Sequence, residues 1–236
     1  MTTVAYLIAS ILPTLLLVGY LGWHRNRFEI HECGLVKPLC CGVASALVAL
    51  IAELAFGWLS NTSIVLEYMV VVPIAEEAAK LLFVCLLLRT MSHGASSCYE
   101  TIRLSALVAL GFATIENVCF IMSDPNVALV IVRALFSVPG HFACGVLMGY
   151  FIAQSRREAQ MGHGARESAL LYLAFALPVL LHGLFDYGVK TLTYGILVVE
   201  AVKIIVALVL VWKMGTKQDR APLSMQGGPV AAAPVA

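Results

Sequence analysis

Long apolar runs separated by short polar stretches are the main pattern along this chain of 236 residues. A helix needs about 20 residues to cross a hydrocarbon core about 30 Å thick, because each residue advances the helix by roughly 1.5 Å. We therefore predict an all-α fold, a transmembrane bundle of about seven spans. The predicted spans are residues 4–23, 39–59, 64–88, 104–122, 127–152, 169–189 and 195–212.

The composition supports a membrane protein, since 61% of the residues are hydrophobic and 12% are charged, against about a quarter charged in soluble domains. The first run lacks a preceding basic stretch and is too long for the core of a signal peptide, so we expect an uncleaved helix. After Trp212 the chain becomes polar and then rich in Ala, Val and Pro, and such a segment cannot bury a core. We predict one transmembrane domain over residues 1–214 and a disordered cytoplasmic tail over 215–236.

Basic residues are sorted between the loops. The second and fourth loops contain no Lys or Arg, and only Lys190 lies beside the sixth loop. The positive-inside rule then predicts that the N-terminus is external and that the odd loops and the C-terminus are cytoplasmic. We expect a multi-pass protein of the cell membrane. The basic residues assigned to the cytoplasmic side are Arg25, Arg27, Lys37, Arg89, Arg103, Arg156, Arg157, Arg166, Lys213, Lys217 and Arg220.

The third span contains acidic residues that a helix in lipid would not normally carry. Each charge at mid-helix costs about 2.5–3.5 kcal/mol on insertion scales, so these side chains must pair, bind something or face the protein interior. Glu76 and Lys80 are four residues apart and share a face, whereas Glu77 is turned by about 100°. We expect Lys80 to neutralise one carboxylate while the other stays free. The alternative is a buried salt bridge beside a second glutamate that reaches the membrane surface.

Three more spans bring polar groups to similar depths. Glu116 and Asn117 lie on the fourth span, where hydrogen bonding between helices is the structural alternative to a functional role. A lone buried histidine is more often a core residue than a ligand, but His141 and His182 lie at similar depths beside carboxylates. Catalytic zinc sites often use two histidines and one carboxylate. Asp186, four residues after His182, could orient that imidazole or join the site.

Two other charged features have simpler explanations. Glu200 and Lys203 are three residues apart on the last span and are predicted to form a structural ion pair. Arg133 lies six residues into its span, so it either reaches outward or neutralises an acid inside the bundle. These residues are not assigned to the candidate site.

The polar motifs resemble those of the PrsW family of intramembrane metalloproteases, which is related to the type II CAAX-protease group. The similar segments are EEAAK at 76–80 for the family's EExxK motif, GFATIEN at 111–117 for FxxxEN, and HGLFD at 182–186 for HxxxD. The stretch from Arg133 to His141 also resembles the family. One departure from the CAAX-protease group is Glu116, which stands where those relatives have a histidine.

This resemblance implies a multi-pass membrane protease that cleaves membrane-anchored protein substrates, with anti-sigma factors as the best-known bacterial class. The lipid bilayer is the other expected partner, and no nucleic acid is expected. We predict that Glu76 activates a water molecule as general base, while Glu77 pairs with Lys80 or shares that role. His141, His182 and Glu116 are expected to bind a divalent metal, with zinc as the expected ion. Asp186 is expected to orient His182, and Asn117 to bind the oxyanion.

Other functions use the same residues. In a metal-free enzyme, the two histidines would act as oxyanion donors. A proton-coupled transporter or channel would use acids and histidines as a relay, but it predicts polar residues through the whole depth of the membrane. A catalytically inactive scaffold would bind membrane partners through the same cavity. Confinement of the main cluster to the middle and outer half of the spans favours the enzyme.

Overall fold

A computed structural model describes residues 3–26, 34–60, 63–90 and 97–214. Within these ranges every secondary-structure element is a helix, and there is no strand. The predicted tail, 215–236, lies outside the described residues, as does most of the first loop. We number the helices α1 (Thr3–Asn26), α2 (Val36–Ser60), α3 (residues 64–90), α4 (Cys98–Ser123), α5 (Val127–Gln160), α6 (Gly164–Lys190) and α7 (Ile196–Lys213).

The seven predicted spans therefore correspond to seven helices in the described part of the chain. Three helices extend beyond the apolar runs: α4 begins at Cys98, α5 continues to Gln160 and α6 begins at Gly164. Hydropathy marks only the apolar part of a helix, and polar residues can continue the helix beyond it. At α4 the early start is stabilised by Ser97, whose hydroxyl accepts from the Glu100 backbone N–H at 3.1 Å, the usual N-cap arrangement.

Five helices are long and apolar enough to cross a membrane, namely α1, α2, α4, α5 and α6. Helices α3 and α7 differ because they carry several charges each, including the Glu-Glu-x-x-Lys sequence in α3 and the Glu200–Lys203 pair in α7. These charged residues set α3 and α7 apart, since α7 is otherwise almost wholly apolar. Large apolar side chains such as Leu16, Leu54 and Val198 are exposed on the outside of the bundle, as lipid contact requires.

Helices α3 and α5 each contain a π-helical turn, over Glu67–Val71 and Arg133–Ser137. In both helices a proline, Pro73 or Pro139, is the second residue after this turn. Proline has no N–H to donate, and the wider turn accommodates the loss by changing the hydrogen-bond register. An added residue rotates the following segment by about 100° relative to an uninterrupted helix, so the two turns set the direction of Glu76 and His141.

Helix α4 lies at the centre of the bundle, and nearly every residue of its first four turns is buried. Small residues let its neighbours approach closely. A Cβ atom on Gly111 would meet the backbone of Leu39 in α2, and one on Gly149 of α5 would lie 2.7 Å from the Cα atom of Ile102. Such close backbone packing is typical of membrane helices. It holds α2, α4 and α5 as a rigid frame for the polar residues of α3, α5 and α6.

Candidate active site

The two adjacent glutamates of α3 both bind the same lysine. Lys80 Nζ donates to Glu76 Oε2 at 3.1 Å and to Glu77 Oε1 at 2.9 Å, and all three side chains are buried. The expectation that one carboxylate would stay free of Lys80 is therefore wrong. The long lysine side chain reaches acceptors three and four residues earlier at once, because both positions lie on the turn beneath it.

Lys80 also connects α3 to α5. Its third contact is with His141 Nδ1, at 3.1 Å, and its ammonium lies 3.9 Å from the centre of the Phe112 ring, close enough for a cation–π interaction. An ammonium group has three hydrogens, and these three acceptors use all of them. Because the lysine donates to Nδ1, the proton of a neutral His141 ring is on Nε2.

His182 of α6 lies among three carboxylates. Its Nδ1 atom is 2.9 Å from Glu77 Oε1, and its Nε2 atom is 3.2 Å from Asp186 Oδ2 and 3.7 Å from Glu76 Oε2. His182 and Asp186 have the i,i+4 spacing from which we expected Asp186 to orient the imidazole. Since both ring nitrogens face carboxylate oxygens, the position and rotation of the ring are well defined.

The two histidines, predicted from different spans, are neighbours in space. The ring centres of His141 and His182 are 4.9 Å apart, and the rings are almost perpendicular. On the far side of His141, the Nε2 atom lies 2.7 Å from Glu116 Oε2. Helices α3, α4, α5 and α6 thus bring their polar residues into one buried cluster.

Glu116 and Asn117 are anchored together by Arg133. One guanidinium nitrogen of Arg133 lies 3.0 Å from Glu116 Oε1, and its Nε donates to Asn117 Oδ1 at 2.7 Å. The Asn117 amide nitrogen in turn donates to the backbone oxygen of Ser10 in α1, at 2.7 Å. Of the two roles open to Arg133, the structure shows neutralisation of an acid inside the bundle.

The side chains able to hold a metal ion form a different set from the predicted one. Glu76, Glu77, His141 and His182 each offer a ligand atom, and these atoms lie within 4.8 Å of one another. Two ligands of one zinc ion are separated by at most about 4.4 Å, given bonds of about 2.0–2.2 Å, so only small movements are needed. Glu116 is not in this set, because it lies against the opposite nitrogen of His141.

Charge and hydrogen bonding also fit a divalent metal. Glu77 Oε2 is buried and has no hydrogen-bond partner, so it is available as a ligand. With both imidazoles neutral, as metal binding requires, the cluster contains four carboxylates, including Glu116 and Asp186, and two cations, Lys80 and Arg133. A divalent cation would balance the remaining two negative charges. Lys80, however, already occupies acceptors of Glu76, Glu77 and His141.

A cavity adjoins the cluster and has room for about one water molecule. It lies between α5, α6 and α7. The Glu200–Lys203 ion pair forms one wall, with Lys203 Nζ 2.9 Å from Glu200 Oε1. The pairing itself follows from the spacing in the sequence. Its position beside the histidines was missed, since no sequence signal links α7 to the motifs of the other helices. The lining residues are Ser137, Gly140, His141, Cys144, His182, Phe185, Asp186, Glu200 and Lys203.

Comparisons with known proteins point to one family. The family described as PrsW family intramembrane metalloprotease matches residues 34–214. The chain is 34% identical over 152 residues to Protease PrsW of Clostridioides difficile, an alignment that covers 61% of the chain and 59% of that relative. It is 24% identical over 207 residues to Protease PrsW of Oceanobacillus iheyensis, covering 87% of the chain and 93% of the relative.

A third relative, Protease PrsW of Bacillus subtilis, is 35% identical over 95 residues, or 40% of the chain and 41% of the relative. No solved structure matches the chain. The family match extends over more than half of the sequence and includes all four helices that form the cluster. The chain therefore belongs to the PrsW family of intramembrane metalloproteases.

Proposed function

We propose that this protein hydrolyses peptide bonds of membrane-anchored protein substrates, with anti-sigma factors as the first class to test. The observation that carries the proposal is the buried group of Glu76, Glu77, His141 and His182, whose ligand atoms lie within 4.8 Å of one another. They come from three helices of a chain that belongs to a metalloprotease family. Buried acids and imidazoles at one point provide both metal ligands and groups that exchange protons.

Glu76 is the general base in this proposal. Glu77 is held by Lys80 and His182 at 2.9 Å each, so its negative charge is strongly stabilised and it is less ready to accept a proton. Glu76 has one short ion pair, with Lys80 at 3.1 Å, and its Oε2 atom lies 3.7 Å from Nε2 of His182. His182 itself lines the cavity. A water molecule in the cavity can be deprotonated toward Glu76, which later returns the proton to the leaving amine.

Other residues of the cluster hold these groups in position. Lys80 neutralises part of the charge of both glutamates, and Asp186 orients His182. Arg133 and Asn117 fix Glu116, which in turn holds His141; Asn117 is thus a positioning residue in this proposal, in place of the oxyanion donor first expected. Glu77, His141 and His182 would hold a divalent ion, with zinc as the leading choice, and Glu76 would remain the base. Such an ion lowers the pKa of bound water and polarises a carbonyl group.

We further propose that all seven helices cross the cell membrane, with an external N-terminus and a cytoplasmic C-terminus. The charges of α3 and α7 are compatible with spanning, because Glu76, Glu77, Lys80, Glu200 and Lys203 are buried in the bundle rather than exposed to lipid. Intramembrane charges that pair inside a bundle cost far less than isolated ones. The transporter and scaffold alternatives are not favoured, because the family is one of peptidases.

The test is cleavage of a tagged, membrane-anchored anti-sigma factor in cells that also express each variant. We expect the Glu76→Gln, Glu77→Gln double variant to lose at least about 100-fold in cleavage, the usual scale of general acid–base catalysis. Gln keeps the shape of Glu but cannot accept the proton. His182→Ala should also be inactive. Immunoblots of the fragment measure the activity, and thermal melting in detergent measures folding.

Glu67→Gln is the matched control, because it makes the same change on the same helix outside the cluster. It should cleave at the wild-type rate. Wild-type cleavage by the folded double variant would refute the peptidase mechanism. Failure of the wild type on one anti-sigma factor, with cleavage of another membrane-anchored protein, would instead correct the substrate.

A further inference from the structure

The ion pair of α7 lies against the backbone of α5. Glu200 and Lys203 are both buried, and a Cβ atom added to Gly140 would collide with the carboxylate of Glu200. The glycine before His141 therefore leaves the space that the Glu200 carboxylate occupies. This contact ties the α7 pair to the helix that carries one of the two central histidines.

Lys203 and the histidines border the same small cavity. Its wall includes His141, His182 and Asp186 on one side and Glu200 and Lys203 on the other. A purely structural ion pair would not need to border this space. A water molecule in the cavity is in contact with both the α7 pair and the histidines.

The two buried lysines differ in how their hydrogens are used. Lys80 has three acceptors at 2.9–3.1 Å, so it has no hydrogen left for a substrate. Among the described residues, Lys203 Nζ contacts Glu200 at 2.9 Å and the sulfur of Cys144 at 3.6 Å. A thiol is a weak acceptor. One strong partner and one weak partner leave at least one N–H of Lys203 available to the cavity.

We propose that Lys203 is a catalytic residue that binds the carbonyl oxygen of the scissile peptide bond, and that Glu200 positions it. This assignment rests on the peptidase function proposed above. The water oxygen bonds to the carbonyl carbon while its proton passes to Glu76, and the carbonyl π electrons move to oxygen. The Lys203 ammonium stabilises that oxyanion. The C–N bond then breaks, and the nitrogen takes the proton from Glu76.

The experiment compares kcat and KM of purified variants in detergent. Lys203→Met should lower kcat by about 10²–10³-fold, the usual effect of removing one oxyanion donor, with little change in KM. Lys203→Arg keeps a charged donor, and its kcat should be at least tenfold higher than that of Lys203→Met. Because Lys203→Met leaves Glu200 buried without its partner, the Lys203→Met, Glu200→Gln double variant removes both charges, and it should fold and show the same low kcat.

The matched control is Arg103→Met, Glu100→Gln. This pair has the same i,i+3 spacing and is also buried, with its atoms 2.5 Å apart, but it does not border the cavity. The control should lower the melting temperature without changing kcat. Across the variants, kcat should therefore depend on whether residue 203 is positively charged. It should not depend on the melting temperature.

Wild-type kcat in the folded Lys203 double variant would overturn the role of Lys203. The role of Lys203 would also be overturned if Lys203→Arg melted like the wild type but had a kcat as low as that of Lys203→Met. In that case neither the positive charge nor the N–H donors of residue 203 would contribute to catalysis. The Glu76→Gln, Glu77→Gln variant separates the two proposals. If it is inactive while the Lys203 double variant is active, only the Lys203 assignment fails; if it cleaves normally, the peptidase mechanism fails.

Discussion

The Nζ atom of Lys80 lies 3.1 Å from Nδ1 of His141, although the two residues are 61 positions apart in the chain. The same ammonium binds Glu76 and Glu77. Three of the four side chains that can hold a metal ion are therefore already bound to an internal cation. Because the ammonium and a divalent ion would share these acceptors, Lys80 must withdraw or weaken its contacts when a metal binds.

Lys80→Met is consequently expected to bind Zn²⁺ or Co²⁺ more tightly than the wild type does, by at least about tenfold. Methionine removes the competing charge but keeps much of the volume of the side chain. Metal titration of the purified protein, followed by calorimetry and by the visible spectrum of Co²⁺, measures this affinity without an activity assay.

Lys203→Met is the matched control for this titration. Lys203 is also buried and paired with an acid, but it contacts Glu200 and Cys144 rather than the four ligand candidates. Its replacement should leave the metal affinity unchanged. Weaker metal binding by Lys80→Met than by the wild type would show that the lysine supports the ligands instead of competing for them.

Gly140→Ala should destabilise the protein by about 1–3 kcal/mol, the usual cost of overpacking. The added methyl group would collide with Glu200, so either the carboxylate or helix α5 must shift. Cleavage should fall as well, because a shifted Glu200 no longer holds Lys203. Thermal or denaturant unfolding in detergent and the cleavage assay measure the two effects.

Gly19→Ala serves as the comparison for Gly140→Ala. Nothing lies within 4 Å of a Cβ atom at Gly19, so the change should be close to neutral in both assays. Equal behaviour of the two variants would contradict the packing of Glu200 against α5.

Asn117→Ala tests whether Asn117 acts by holding Arg133. The change removes the acceptor for Arg133 Nε and the donor to the Ser10 carbonyl, and an unpaired buried polar group costs about 1–3 kcal/mol. We expect a loss of stability of that size and a partial loss of cleavage. In a double-mutant cycle with Arg133→Met, the two effects should be strongly non-additive; additive effects would rule out the positioning role.

The topology prediction can be tested at two exposed residues in turns. Tyr194 is 74% exposed in the turn between α6 and α7, and Met161 is 49% exposed in the turn between α5 and α6. In intact cells, a membrane-impermeant maleimide should label Tyr194→Cys but not Met161→Cys, which should react only after permeabilisation. Wild-type protein gives the background from the native cysteines. Labelling of both variants from the same side would refute an external N-terminus with seven spans.

Local features were predictable from the sequence because they depend on neighbouring residues along one helix. The apolar runs defined all seven helices, since a backbone in lipid must satisfy its hydrogen bonds internally. The i,i+4 spacing predicted the contacts of Lys80 with Glu76 and of Asp186 with His182, and the i,i+3 spacing predicted the Glu200–Lys203 pair. The motif residues also identified the family correctly.

Only the tertiary structure decided how these helices are rotated against one another. It showed that Lys80 reaches His141, that Glu116 lies on the other side of that ring, and that Lys203 borders the same cavity as the histidines. A helix that is apolar on all sides carries little information about which face turns inward. In lipid that choice depends on close packing of small residues and on buried polar contacts between helices, which form only when the helices assemble.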